Sequence, residues 1–341
     1  MIEFVSGNLL EADAEALVNT VNCVGVMGKG IALQFKQAFP ENTRAYERAC
    51  RRKELQPGKM LVVPTGRVVN PRFVINFPTK KHWKGKSRIE FINSGLAALT
   101  HEIECRQIKS VAIPPLGCGN GGLNWSDVLP LIKNAFVHSS VHVLVFGPAS
   151  APVPSSMPVA DKKRRITRAR ALFVKLIQRY GGPGYRVSRL EIQKLAYFLQ
   201  ESGEPLKLAF VKDKFGPYAE NLNFVLQNME GHLIRGYGDR SNSSQIELLP
   251  EASEEADAFI ANDAEARQRL EDVGRLIEGF ETPHGLELLA TVHWVAKKEL
   301  PLATDPQLAV TKVHSWNARK QRVFRAEHIQ IAWRRIMGEA S

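Results

Sequence analysis

Twice in the first half of the chain, a β-branched apolar run gives way to a glycine-rich loop that leads directly into a helical pattern. "ALVNTVN" is followed by "CVGVMGKGIALQF", with Gly25, Gly28 and Gly30; "SVAIPP" is followed by "LGCGNGGLNWSD", with Gly117, Gly119, Gly121 and Gly122. Parallel strands need a crossover across a face of their sheet, so a strand, loop and helix in repeated order fold into a sheet covered by helices. Further short runs at "IEFV", "MLVVP", "FVINF" and "VHVLVFG" alternate with helical stretches, and Ile92, Leu96, Leu99 and Ile103 share one helix face. The fold class expected is α/β: a three-layer α/β/α domain with a mixed central sheet, its ligand site at the carboxyl ends of the strands.

The alternation stops near residue 148. From Ala149 the stretch "ASAPVPSSMPVADKKRR" mixes proline, serine and alanine without period, as a linker does. Beyond it the pattern is mainly helical, as in "RALFVKLIQRY", "SRLEIQKLAYFLQES", "EARQRLEDVGRLIEGF" and "AEHIQIAWRRIM", with short strands expected at "LKLAFVK" and "SQIELL". The organisation expected is 1–148 α/β domain, 149–161 linker and 162–341 mainly helical domain, in keeping with a chain too long for one core.

A net charge of +11 favours a polyanionic partner, and its distribution is uneven. Residues 1–150 carry 18 Lys and Arg against 11 Asp and Glu, whereas residues from 180 onward carry 20 against 23. No apolar run approaches the roughly 20 residues that cross a bilayer, and a cytoplasmic location is expected. Four cysteines without a CxxC pair indicate neither a disulfide scaffold nor a metal site, and no cofactor is expected.

Glycines let backbone N–H groups approach a phosphate, and a helix amino terminus adds partial positive charge. Two such loops suit a diphosphate, although neither matches GxGxxG or GK[ST]. Between them "VINFPTKKHWKGKSR" runs from an apolar strand into a dense cationic loop. Lys81, Lys84, Lys86 and Arg88, with His82 and Trp83, can form a groove for a nucleic-acid strand, cations on phosphates and the indole on a base; a solvated turn is the plain alternative. Cys118 in "GCG" has no histidine close in sequence and reads as a small packing residue, not as a nucleophile.

"VNTVNCVGVMGKGIALQFKQAFP" and "IPPLGCGNGGLNW" together resemble a macrodomain, the ADP-ribose-binding α/β/α fold, over roughly residues 1–148. "GKGIA" and the Thr-Lys-Lys after a central strand are similar to the TARG-type branch, which removes ADP-ribose using a lysine. With a helical second half, the chain resembles the antitoxins of DarT–DarG systems, in which a toxin ADP-ribosylates thymidine in single-stranded DNA. The resemblance implies reversal of that modification, ADP-ribose as product, and direct binding of the cognate DNA ADP-ribosyltransferase toxin.

Carried over residue by residue, the resemblance places Asn8 and Leu9 at the adenine, and Thr20, Val21 and Asn22 beside the distal ribose, with Asn22 hydrogen-bonding it. Gly28, Lys29, Gly30, Ile31, Ala32, Leu33 and Gln34 form the first phosphate loop. Gly117, Cys118, Gly119, Asn120 and Gly121 form the second, and Thr79 helps hold the ligand. Lys80 is the catalytic amine, and Lys81, His82, Trp83, Lys84 and Lys86 are the DNA contacts. The aspartate that assists the lysine in the TARG-type branch aligns with Gly121, so Lys80 stands without that partner. Two roles stay open for it: a neutral nucleophile forming an adduct with the opened sugar, or a cation stabilising the departing base.

In the second half, "KLAYF" and "FGPY" resemble a helical antitoxin module of the Panacea type; an ordinary helix and a Gly-Pro turn is the plain reading. From Gln245 to His284 eleven acidic residues oppose three arginines, a solvated helix face or a surface imitating a DNA backbone. Other functions consistent with these residues are a non-catalytic ADP-ribose reader and a hydrolase of protein-linked ADP-ribose.

Overall fold

The computed structural model describes residues 1–148, 153–160, 165–181, 185–240, 244–300 and 305–338. The chain divides into two compact units: Met1–Asp161 together with Gly238–Ser244, and Lys162–Tyr237 together with Gln245–Ser341.

The first unit runs β1 (Ile2–Val5), β2 (Ala16–Val21), α1 (Gly30–Ala38), α2 (Pro40–Arg51), β3 (Leu61–Pro64), β4 (Phe73–Pro78), α3 (Ile89–Cys105), β5 (Ser110–Ile113), α4 (Trp125–Ala135) and β6 (His142–Phe146). Its six-stranded sheet has the order β1-β6-β5-β2-β4-β3 and is parallel except for β3, which lies antiparallel on β4. Side chains alternate between the two faces of a strand, and the core divides accordingly. Val18, Ile75, Phe77, Val111, Ile113 and Val143 pack beneath Ile92, Leu96 and Leu99 of α3 and Val128 and Ile132 of α4. Leu17, Val74, Ala112 and Leu144 point the other way, under Phe35 and Ala38 of α1 and Phe39. The expected three layers and mixed sheet are therefore observed.

Helix α2 was not foreseen from sequence. Its buried face sets Asn42 and Thr43 beside Tyr46, Ala49 and Cys50, so its helical period has no Leu, Ile or Val to mark it. Asn42 instead joins a buried amide network: Asn76 Nδ2 donates to Asn42 Oδ1 (2.6 Å), and Asn76 Oδ1 accepts from Asn19 and Asn42. In a dry interior such paired amides fix the register of helix on sheet.

Part of the proline-rich stretch packs with this unit: Met157 is buried, and Ala160 N–H donates to the Gln37 carbonyl (2.9 Å). Residues 149–152 and the basic run 161–164 lie outside the described residues.

The second unit contains α5 (Arg168–Gly181), β7 (Val187–Ser188), α6 (Arg189–Glu201), β8 (Phe210–Asp213), β9 (Gly216–Ala219), α7 (Leu222–Met229), β10 (Ile234–Arg235), β11 (Gln245–Leu248), α8 (Ala252–Ile260), α9 (Ala264–Ile277), α10 (Pro283–Trp294), α11 (Pro306–His314), α12 (Ala318–Val323) and α13 (Ala326–Met337). It is mainly helical, as expected. Helix α6 opens on a capping box, Ser188 with Glu191, and buries Tyr197 and Phe198. "GPYA" is not a plain turn: it forms β9, antiparallel to β8. No described helix is long and apolar enough to cross a membrane.

Candidate functional site

Strands β2, β4, β5 and β6 release their chains at one end of the first unit, where a cavity of about 420 Å³ opens. Thr20 comes from β2, Thr79 and Lys80 from the end of β4, Pro114 and Pro115 from β5, and Phe146, Gly147 and Pro148 from β6. Both glycine loops reach it. Lys29, Gly30, Ile31, Ala32 and Gln34 line one side; Gly117, Gly119, Asn120 and Gly121 line another; Gly7 and Leu9 complete the wall. The remaining lining residue is Asp239.

Lys80 is delivered by the sheet. The Thr79 N–H donates to the Val21 carbonyl (3.0 Å) and the Cys23 N–H to the Lys81 carbonyl (3.1 Å), so the chain stays beside β2 after β4 ends. From there Lys80 Nζ donates to the Asn120 carbonyl at 2.8 Å and lies 3.4 Å from that of Gly85. The amine thus sits against the second glycine loop. Partial burial holds its pKa below the ordinary lysine value, with no neighbouring charge contributing.

The first loop ends in Gly30, at φ +63°, which opens α1 with no side-chain cap. The second is closed by its own backbone: Cys118 N–H donates to Pro115, Gly122 to Gly119 and Leu123 to Gly117. Asn120 spans the two loops, its Nδ2 within 2.9 Å of where a Cβ on Gly30 would stand. Gly121 has no room for any side chain, because a Cβ there would lie 2.3 Å from the Gly117 carbonyl oxygen and 2.3 Å from Ser87 Oγ. The aspartate expected at this position by family resemblance is thus excluded sterically, without remodelling of the loop.

Leu9, Thr20, Lys29, Gly30, Ile31, Ala32, Gln34, Thr79, Lys80, Gly117, Gly119, Asn120 and Gly121, all singled out from sequence, line this one cavity. Asn8, Val21, Asn22, Gly28, Leu33 and Cys118 do not. Asn8 caps a short 3-10 turn, accepting from the Leu10 N–H. Val21 and Leu33 are buried in the core, and Cys118 packs partly buried against it. The Asn22 amide is taken up by its own turn: Oδ1 accepts from Val24 N–H (3.0 Å), Nδ2 donates to the Val26 carbonyl (2.6 Å), and the Tyr46 hydroxyl donates to the Asn22 carbonyl (2.9 Å). Gly7, Pro114, Pro115, Phe146, Gly147, Pro148 and Asp239 were not foreseen; a strand-end rule would have found those of β5 and β6.

Lys81, His82, Trp83, Lys84 and Lys86 lie outside the cavity on the exposed loop that Lys80 opens. The His82 and Trp83 rings stack at 5.5 Å, Lys84 Nζ lies 5.1 Å from the indole centroid, and Trp83 remains half exposed. The acidic stretch of the second unit is extensively paired: Asp257 with Lys175, Asp263 and Glu265 with Arg168, Glu247 with Arg186.

The Macro domain family matches residues 18–132. The first unit, with its mixed central sheet, is a macrodomain. At full length, a DNA ADP-ribosyl glycohydrolase of Thermus aquaticus is 49% identical over 97% of this chain and 92% of its own length. One of Mycobacterium tuberculosis is 42% identical over 99% of both. A DNA ADP-ribosyl transferase-DNA ADP-ribosyl glycohydrolase fusion protein of Thermosipho africanus is 34% identical over 45% of this chain and 43% of its own. The chain belongs to the DNA ADP-ribosyl glycohydrolase family.

Proposed function

We propose that this enzyme removes ADP-ribose from thymidine in single-stranded DNA by cleaving the N-glycosidic bond, and that Lys80 is its catalytic residue. The observation that carries the reading is the Lys80 amine, partly desolvated, inside a cavity whose two glycine loops suit a diphosphate. In this reading the adenine end lies by Leu9, the diphosphate along Gly30–Ala32 and Gly117–Gly121, and the distal ribose beside Thr20 and Thr79. The modified strand then runs over Lys81, His82, Trp83, Lys84 and Lys86, outside the cavity. The exposed cations and half-exposed indole of that loop are the groups that backbone contact and base stacking use.

A lowered pKa makes the neutral amine accessible nearer neutrality, which supports nucleophilic attack at the anomeric carbon. The absence of a carboxylate from position 121 means that the desolvated cavity, not a paired acid, adjusts the amine. Release of ADP-ribose from a modified oligonucleotide is the test. Lys80→Ala is expected to abolish it. Lys80→Arg keeps the charge but not the nucleophile, so loss in both variants together with a borohydride-trapped adduct in the wild type fixes the covalent role. Full activity in Lys80→Ala would end the reading.

The residues 162–341 are proposed as the toxin-binding part. The Thermosipho africanus relative, which joins a DNA ADP-ribosyl transferase to a glycohydrolase in one protein, supports a partnership with such a transferase. The test is co-purification of the full chain, with Lys80→Ala in place, with its cognate transferase.

A further inference from the structure

We propose that Asp239 is a built-in competitor for the phosphate end of the cavity, an autoinhibitory contact that the ligand displaces. Three observations place it there. Asp239 lines the same cavity as Lys80 and both glycine loops, and among the described lining residues it alone carries a carboxylate. Its main-chain carbonyl accepts the Gly30 N–H at 2.9 Å. Helix α1, which Gly30 opens, has no side-chain cap.

The first N–H groups of a helix have no partner within the helix and point at whatever acceptor the loop admits. A carbonyl oxygen and a phosphate oxygen are the same kind of partner for that N–H. The acceptor is already supplied by the protein, on a residue that lines the cavity and carries a carboxylate. A diphosphate lying along Gly30 must take over the N–H, and it is repelled by the carboxylate until Asp239 withdraws. Asp239 is not the missing partner of the lysine: Lys80 Nζ is engaged by the Asn120 and Gly85 carbonyls, and burial alone shifts its protonation.

A ligand that binds only the open form sees its affinity multiplied by the fraction of molecules that are open, and so reduced. Free nucleotides and the released product, with only the cavity to hold them, bear that loss in full. A modified strand has further contacts outside the cavity to offset it. The return of Asp239 to Gly30 also favours departure of the product.

The proposal takes the phosphate end of the cavity from the reading above, and its test separates the two. Two variants of the full chain are titrated with inorganic pyrophosphate and with ADP-ribose. Asp239→Ala removes the carboxylate. Gly238→Pro moves the carbonyl itself, because Gly238 has φ +54° and proline is held near −65°. Each variant is expected to bind pyrophosphate about five- to tenfold more tightly than the wild type, as for a closed form holding most of the population. Unchanged or weaker pyrophosphate binding overturns the proposal; if Gly238→Pro fails to fold, Asp239→Ala decides alone. Tighter pyrophosphate binding with no ADP-ribose binding by any of the three proteins leaves the proposal standing and removes the nucleotide reading.

Discussion

At the scale of single residues, the proposed chemistry rests on Lys80 and on how its environment handles a proton. Burial lowers its pKa, so the neutral fraction grows as pH rises through a value below the ordinary 10.5. If the neutral amine attacks, single-turnover release of ADP-ribose is expected to rise with pH and level off before that value; a rate that falls as the amine deprotonates would assign the electrostatic role. Gly121 offers a second test. Supplying the aspartate common in the TARG-type branch, Gly121→Asp, is expected to lose ADP-ribose binding and to destabilise the first unit by about 2 kcal/mol or more, since the Cβ meets the Gly117 carbonyl and Ser87. Calorimetry against ADP-ribose and a thermal melt read both. Lys80 and the glycines were legible because each stands next to its strand in sequence. Asp239 was not: it reaches the cavity from far along the chain, and no local pattern announces such an approach.

At the scale of elements, the sequence reveals what apolar period can reveal. Helices α1, α3, α4, α6 and α9 carry that period in Leu, Ile, Val or Phe, whereas α2 carries it only in Tyr46, Ala49 and Cys50 beside buried Asn42 and Thr43, with no branched aliphatic residue to mark it. The β8–β9 hairpin was half legible, its second strand hidden by a Gly-Pro pair that ordinarily marks a turn. Its position is held by a buried lysine on α6: Lys194 Nζ donates to the Pro217 carbonyl at 2.7 Å, while Lys320 Nζ bonds Glu287 and Thr291 nearby. Desolvation first, then Lys320, pushes Lys194 down to about 7. Between that value and the unfolded 10.5 the unfolded chain binds the extra proton, so stability rises with pH across this window, by up to about 1.4 kcal/mol per pH unit. Thermal melts of the full chain are expected to climb from pH 7 to pH 9, and to climb less in Lys194→Met. An identical slope in the two would remove Lys194 from the account.

At the scale of the whole molecule, the proposed division of labour between the cavity and the exposed loop is a matter of charge. The positive balance of residues 1–150 was readable by counting, as was the slightly acidic balance from residue 180 onward. The extensive pairing of the acidic stretch was not, because its arginine and lysine partners come from other elements. Turnover on a modified oligonucleotide is expected to fall steeply between 50 and 200 mM salt, by about tenfold or more, if Lys81, Lys84 and Lys86 contact phosphates. Turnover on a free ADP-ribosylated nucleoside should change little over the same range. Parallel curves for the two substrates would confine recognition to the cavity.

The sheet order carries one more consequence. Phe146, Gly147 and Pro148 wall the cavity from the end of β6, a strand whose neighbours are β1 and β5, while the lysine arrives at the end of β4 on the far side of β2. Pairing strands so distant along the chain makes assembly slow, since long loops must close before the contacts form. A chain that has laid down only β2 to β4 carries Lys80 but lacks the second glycine loop and the β6 end that wall the cavity. Recovery of ligand affinity during refolding would therefore time the arrival of the last strand, serving as a clock for the completed sheet.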